Sequence, residues 1–374
     1  MLNIIIKFIF IFFISILFLS CPISVKNTDD LESFIVDCEK QLAKKIGKSI
    51  PGAVVVIIEN GEIYYKKTFG YKDKKAKEPM SLETIFQVGS ISKTAFALTV
   101  MKLVQEGLID LDIPIDSYLN RWHLPDSKYN KDGVTARRIL SHTAGLSTPG
   151  YWGYNPKKQL PTLEQSLSSF IYSVKMKKNP GEKWKYSGGG YTVLQLAVEE
   201  ILGQSLSEYT EANIFGKMGM TNSSYIYNPD MKNKLSKPYN FFGIQIPNYL
   251  YTEASAAGLY TTAPDLAKMI IEMINCYYNM ENNLVINKEI LELMMVPEAA
   301  IDKKEYMGMG VFINDVGNGI KTYGHGGDNR GWKAQFGFCP DKKSGIVILT
   351  NGNLAKRVIT TPLITSWREY IGKK

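Results

Sequence analysis

Histidine is scarce in this chain, with three in 374 residues, at positions 123, 142 and 325. They lie far apart and none falls in a His-x-x-x-His pair, which argues against a zinc site. Cysteine is almost as rare. Cys21, Cys38, Cys276 and Cys339 have the spacing of neither a zinc cluster nor a disulfide framework. They read as small apolar core residues, with a single bridge left open. No Gly-x-Ser-x-Gly occurs, which argues against a nucleophile-elbow hydrolase. There is no internal repeat and no low-complexity run. Acidic residues are outnumbered, 36 against 44 Lys and Arg, for a net charge of +8 and a pI near 9.0. The basic residues are dispersed as pairs such as Lys66-Lys67, Lys157-Lys158 and Lys177-Lys178. That is a solvated surface rather than a nucleic-acid stripe.

Long apolar runs are missing except at the start. Lys7 precedes Phe8 to Leu19, twelve residues with one serine. This is the length of a signal h-region and short for a membrane span. Ser20-Cys21 follows, a small residue before cysteine as at a bacterial lipoprotein cleavage site. Residues 1–21 are therefore expected to be a signal peptide of lipoprotein type, with Cys21 as the lipid anchor. Ordinary secretion and an uncleaved anchor are the alternatives. Each puts the folded part outside the cytoplasm, at the cell envelope. Residues 22–30 read as a polar tether.

From residue 31 the pattern becomes globular. Leu31 to Ile46 has helical spacing. Pro51 to Ile58 and Ile63 to Phe69 flank Asn60-Gly61, a strong hairpin signal. The middle is helical and rich in loops, with periodicity over 136–140, 163–172, 191–202, 206–214 and 287–295. Thr262-Ala-Pro-Asp265 reads as a capping box opening a helix through Ile274. Near residue 306 short strands appear, over 309–313, 320–323, 332–338 and 346–349, separated by tight-turn residues; Thr361 to Ile371 closes with a helix. The expected fold is α+β. The hairpin and the C-terminal meander share one antiparallel sheet flanked by helices (residues 31–89 and 300–374), and a mainly helical insertion fills residues 90–299.

The most informative stretch is Val88-Gly-Ser-Ile-Ser-Lys93, where a turn enters a helix. Residues three apart on a helix share a face, so Ser90 Oγ and Lys93 Nζ can meet. The helix N-terminus adds partial positive charge where an alkoxide would form. Together these make an acylatable serine without histidine. A capping serine beside a solvated lysine is the plainer reading of the motif alone. Two further segments carry chemistry. Tyr186-Ser-Gly188 enters a helix and can hold a phenol over a cleft; read alone, Tyr186 is a core aromatic. Tyr323-Gly-His325-Gly-Gly327-Asp328 ends a strand with glycines that permit close backbone approach; read alone, His325 is a packed or surface histidine. His142 and His123 read as a structural loop residue and a surface residue. Combined, the segments offer a nucleophile, proton acceptors and oxyanion donors.

At this point the chain resembles the serine β-lactamase and penicillin-binding protein superfamily. It is nearest the branch of class C β-lactamases, DD-peptidases and related esterases. The resemblance rests on Ser90-Ile-Ser-Lys93, Tyr186-Ser-Gly188 and His325-Gly-Gly327 in family order. Leu140-Ser-His-Thr-Ala-Gly-Leu146, Ala256-Ala-Gly-Leu-Tyr-Thr-Thr-Ala-Pro-Asp-Leu266 and Gly331-Trp332 support it. It covers roughly residues 31–370 and implies a β-lactamase/DD-peptidase-like fold. It further implies that Ser90 is acylated, that Lys93 deprotonates it and that Tyr186 relays protons. Gly188, His325 and Gly327 would line the substrate pocket, the N–H groups of Ser90 and Asp328 would polarise the carbonyl, and no metal or organic cofactor is implied.

Two departures stand out. Gly188 replaces the family's usual asparagine, which weakens the case for efficient β-lactam turnover. His325 replaces the class C lysine and, with a reference pKa near ~6.5, is mostly neutral at pH 7. Arg330 offers a second positive charge nearby, although it also fits an ordinary surface arginine. The expected activity is an extracytoplasmic serine hydrolase acting on peptidoglycan-type D-amino peptides, small esters or β-lactams. The competing readings are a catalytically weak penicillin-binding-like protein of the envelope and a true β-lactamase. Expected partners are the substrate and, through the N-terminus, a membrane; no nucleic acid is expected. The oligomeric state is open.

Overall fold

The structure is a computed structural model that describes residues 28–47, 50–280 and 285–374. The signal segment and Cys21 lie outside the described residues, as do residues 22–27 of the tether. The last three tether residues are helical: α1 spans Thr28–Lys45. A threonine followed by two aspartates suits the start of a helix, whose N-terminal dipole favours acidic residues.

Strand β1 (Gly52–Glu59) turns at Asn60-Gly61 into β2 (Glu62–Asp73), followed by β3 (Glu78–Pro79) and β4 (Phe86–Gln87). Then come α2 (Ser92–Gln105), α3 (Ala136–Leu140), α4 (Leu163–Leu167), α5 (Gly188–Leu202), α6 (Leu206–Thr210), β5 (Tyr260–Thr261), α7 (Ala263–Tyr277) and α8 (Lys288–Met295). The chain returns through β6 (Ala299–Ala300), β7 (Glu305–Met307), β8 (Phe312–Gly317), β9 (Ile320–Asn329), β10 (Trp332–Cys339) and β11 (Ser344–Thr350) to α9 (Thr361–Lys373). Among the described residues the main sheet runs β3-β2-β1-β11-β10-β9-β8-β7-β6, with antiparallel neighbours throughout, and β4 pairs with β5 apart from it.

The sheet has two dry faces because side chains alternate along a strand. Val54, Val56, Phe336, Phe338, Val347 and Leu349 face the helical part. Ala53, Val55, Ile57, Ile346 and Ile348 face α1 and α9, where Phe34 stacks on Tyr370 at 5.4 Å. Cys38, Cys276 and Cys339 are buried free thiols.

Three expectations shift. The strand expected from Met309 begins at Phe312, because Gly310 leaves the sheet to pack on Ala97 and its carbonyl accepts from Thr94 Oγ1 at 2.7 Å. The helix expected over 163–172 stops at Leu167. The capping box at Thr262 is one-sided. Thr262 Oγ1 accepts from Asp265 N at 3.2 Å, but the Asp265 carboxylate turns to Asn222 N at 2.8 Å and Lys268 at 2.9 Å. Among the described residues no helix is long and apolar enough to cross a membrane.

Candidate active site

Ser90 sits in the middle of a 3-10 turn, Gly89–Ile91, two residues before α2 begins at Ser92. In such a turn, residues three apart nearly eclipse, so the Ser-x-x-Lys spacing still works. Lys93 Nζ lies 3.2 Å from Ser90 Oγ and donates to the Ala256 carbonyl at 2.6 Å. That carbonyl belongs to an irregular helical turn, Ala254–Gly258, whose small residues let backbone reach the amine. Ser92 pins the Ser90 turn: its hydroxyl donates to Gly89 O at 2.5 Å and accepts from Leu259 N at 2.9 Å.

The Lys93 side chain is 1% exposed and meets no carboxylate within ion-pair distance among the described residues. Burial lowers its pKa to about 7, since an ammonium loses its hydration in an apolar setting. Its Nζ stands 5.0 Å from the ring centroid of Tyr186 and 5.5 Å from that of Tyr191.

Tyr186 is half-buried, and its hydroxyl is within hydrogen-bond range of the Ser90 side chain. Burial pushes its pKa up, so it is a phenol rather than a phenolate at neutral pH. Its ring rests on His142 at 4.1 Å. His142 is buried and accepts from Ser187 N through Nδ1 at 3.1 Å, which leaves a neutral ring as a shelf under the phenol. Burial, then the nearby Lys93 charge, then His325 hold its pKa well below the usual histidine range.

His325 is 2% exposed and stands behind Tyr186, against Phe312 at 4.9 Å. Its Nδ1 is 2.6 Å from the Gly326 carbonyl; the proton is therefore assigned to Nδ1, leaving Nε2 as a buried acceptor with no protein partner. Burial, with Lys93 adding repulsion, lowers its pKa to about 3. At neutral pH it has no charge to offer a carboxylate.

The β9 end closes on the Ser90 turn. A Cβ at Gly327 would collide with the Val88 carbonyl. Gly89 has φ +53°, and a Cβ there would stand 2.7 Å from Asp328 N. Both positions need glycine for close approach. The backbone of Asp328 is thereby brought beside that of Ser90. The Asp328 carboxylate points elsewhere, paired to Lys333 at 2.7 Å and Lys356 at 3.4 Å.

Gly188 begins α5, and the space beside it is taken. A Cβ would lie 3.2 Å from the Tyr151 ring, whose hydroxyl bonds Thr192 Oγ1 at 2.7 Å. Sequence reasoning missed Tyr151, which no motif marks. It also missed the role of the Ala256 carbonyl, for which the run of small residues at 254–258 was the available signal.

Comparisons with known proteins bear on the family and the fold. The β-lactamase family model matches residues 36–365. Penicillin-binding protein 4* of Bacillus subtilis is 31% identical over 179 residues, 46% of this chain and 38% of its own. Esterase EstB of Burkholderia gladioli is 29% identical over 193 residues, 48% of each chain. The chain thus spans less than half the length of these curated relatives. The octameric penicillin-binding protein homologue from Pyrococcus abyssi superimposes with a TM-score of 0.73 at 28% identity, covering 90% of this chain and 77% of that one. The penicillin-binding protein from Bacillus halodurans gives 0.72 at 23% identity, covering 90% and 98%, a likeness of fold. The chain belongs to the β-lactamase family, within the serine β-lactamase and penicillin-binding protein superfamily.

Proposed function

We propose that the protein is a serine hydrolase that forms an acyl-enzyme on Ser90. One observation carries this: a buried amine with no carboxylate partner among the described residues lies 3.2 Å from the serine hydroxyl, and burial lowers its pKa to about 7. Neutral Lys93 takes the Ser90 proton as Oγ adds to the substrate carbonyl. The carbonyl oxygen gathers negative charge, which the N–H groups of Ser90 and Asp328 stabilise. The carbon–heteroatom bond then breaks. The leaving group takes a proton from Tyr186, which regains one from Lys93. Water, deprotonated through the same relay, releases the acid and restores Ser90. Tyr186 suits a relay because its burial disfavours the phenolate.

Gly188, Gly327 and His325 line the acyl pocket in this reading, and the neutral His325 favours esters and peptides over anions clamped by charge. Candidate substrates are small esters and D-amino peptides of peptidoglycan type. Placement at the cell envelope, and Cys21 as a lipid anchor, rest on residues 1–21 alone. A weakly catalytic penicillin-binding-like role is the second reading, and the Tyr151 ring beside Gly188 favours it.

An active-site-directed fluorophosphonate is expected to label the wild type and not Ser90→Ala; equal labelling of both would sink the assignment. Steady-state hydrolysis of p-nitrophenyl esters or a D-Ala-D-Ala peptide, dependent on Tyr186, removes the second reading.

A further inference from the structure

Beside the catalytic cluster the molecule has a cavity of about 1250 Å³, larger than the ~300–1,000 Å³ of ordinary small-molecule sites. It starts where that cluster ends, at Asp328 and at Tyr151, the ring that abuts Gly188. Its apolar wall includes Trp152, Phe241, Phe242, Ile246 and Leu354. Phe241 and Phe242 are 57% and 83% exposed and, with Trp152 on the same wall, make a contiguous apolar patch rather than scattered single residues. They are presented by a turn in which the Asn240 side chain accepts from Phe242 N at 2.9 Å and Ile244 N at 3.1 Å.

The charge in the cavity is lopsided. Arg330, Lys333, Lys356 and Arg357 line it against one carboxylate, Asp328, which Lys333 and Lys356 already neutralise. Among the described residues neither Arg330 nor Arg357 forms an ion pair. The guanidinium carbon of Arg330 lies over the Tyr249 ring, 4.0 Å from its centroid, a contact that occupies none of its N–H donors.

Building on the acyl-enzyme reading, we propose that this cavity takes the apolar arm of an acyl substrate that ends in an anion, a carboxylate or a phosphate. The arm packs on Trp152, Phe241 and Phe242, and Arg330 and Arg357 neutralise its terminus. An apolar wall beside unpaired arginines selects an anionic amphiphile over a neutral lipid, which leaves the arginines unused, and over a cation, which they repel.

Two experiments test it. In the first, Ser90→Ala protein is titrated calorimetrically with decanoate, decyl phosphate, decyltrimethylammonium and acetate, all below micellar concentrations. One or both decyl anions are expected to bind at least about tenfold tighter than the decyl cation or acetate, and the tighter anion identifies the terminus. Arg330→Gln with Arg357→Gln is expected to weaken anion binding about tenfold or more with an unchanged melting temperature, and Phe242→Ser is expected to weaken decyl binding alike. Equal binding of the cation, unaltered binding by the folded double variant, or association only with anionic vesicles would overturn the proposal. In the second, wild-type kcat/KM is compared for p-nitrophenyl decanoate and the p-nitrophenyl monoester of decanedioic acid. The free-carboxylate ester is expected to be preferred about tenfold, with the preference lost in the double variant; a preference for the neutral ester refutes the proposal. If neither ester turns over while the decyl anions bind as expected, the acyl-enzyme reading fails and the binding site stands.

Discussion

Lys93→Met exposes the physical tension at the centre of the site. Burial moves the Lys93 pKa from 10.5 to about 7. At about 1.4 kcal/mol per unit, the full shift corresponds to roughly 5 kcal/mol of stability withheld while the amine is charged. The sign follows from proton counting. Below pH 7 the folded and unfolded chains both hold the proton, and the native state bears the whole burden. Between pH 7 and 10.5 the native protein sheds it while the unfolded chain keeps it, so the wild type gains stability as pH rises. Methionine has similar volume and no charge. The variant is therefore expected to be more stable than wild type at pH 6, and by pH 9 that advantage shrinks by about 3 kcal/mol. Urea unfolding of both proteins at pH 6, 7.5 and 9 measures it, and the difference between them cancels every other titrating group. A constant difference across this range would refute the claim that the amine is buried with a near-neutral pKa. The same titration predicts that ester hydrolysis by the wild type rises through a limb near pH 7, and that the variant loses about 10²–10⁴ in kcat.

Other consequences are equally concrete. Tyr186→Phe keeps the stack on His142 but removes the relay, so kcat for ester hydrolysis is expected to fall about 10²-fold or more with the melting temperature little changed; unaltered kcat would remove Tyr186 from the chemistry. Gly327→Ala forces β9 away from the Val88 carbonyl, and fluorophosphonate labelling is expected to slow at least tenfold even where circular dichroism reports a folded protein. Gly188→Asn is expected to lower stability by about 1 kcal/mol, because its Cβ crowds the Tyr151 ring. Adding Tyr151→Ala should relieve that cost in a thermal melt and raise nitrocefin turnover above that of Gly188→Asn alone.

Much of this protein was readable along the chain. Unbroken apolar runs at Val54–Ile58 and Ile346–Leu349, with the Asn60-Gly61 turn, define strands that bury both faces, because successive side chains in a strand point to opposite sides of the sheet. The contact between the Ser90 hydroxyl and the Lys93 amine was readable for a similar reason: residues 90 and 93 are near neighbours in any helical turn. What the sequence left undecided came from contacts between distant segments. Gly310 leaves the sheet because Ala97 waits 213 positions earlier, and periodicity carries no trace of that. The near-neutral amine arises because Ala256, Tyr186 and Tyr191 surround Lys93 while no carboxylate among the described residues comes within ion-pair distance, and solvation is a property of the whole enclosure. Tyr151 beside Gly188, and Arg330 and Arg357 in one cavity with Phe242, are likewise decisions of the tertiary structure. Local chemistry follows from residue order; the dielectric and the shape around it exist only once remote parts of the chain have packed together.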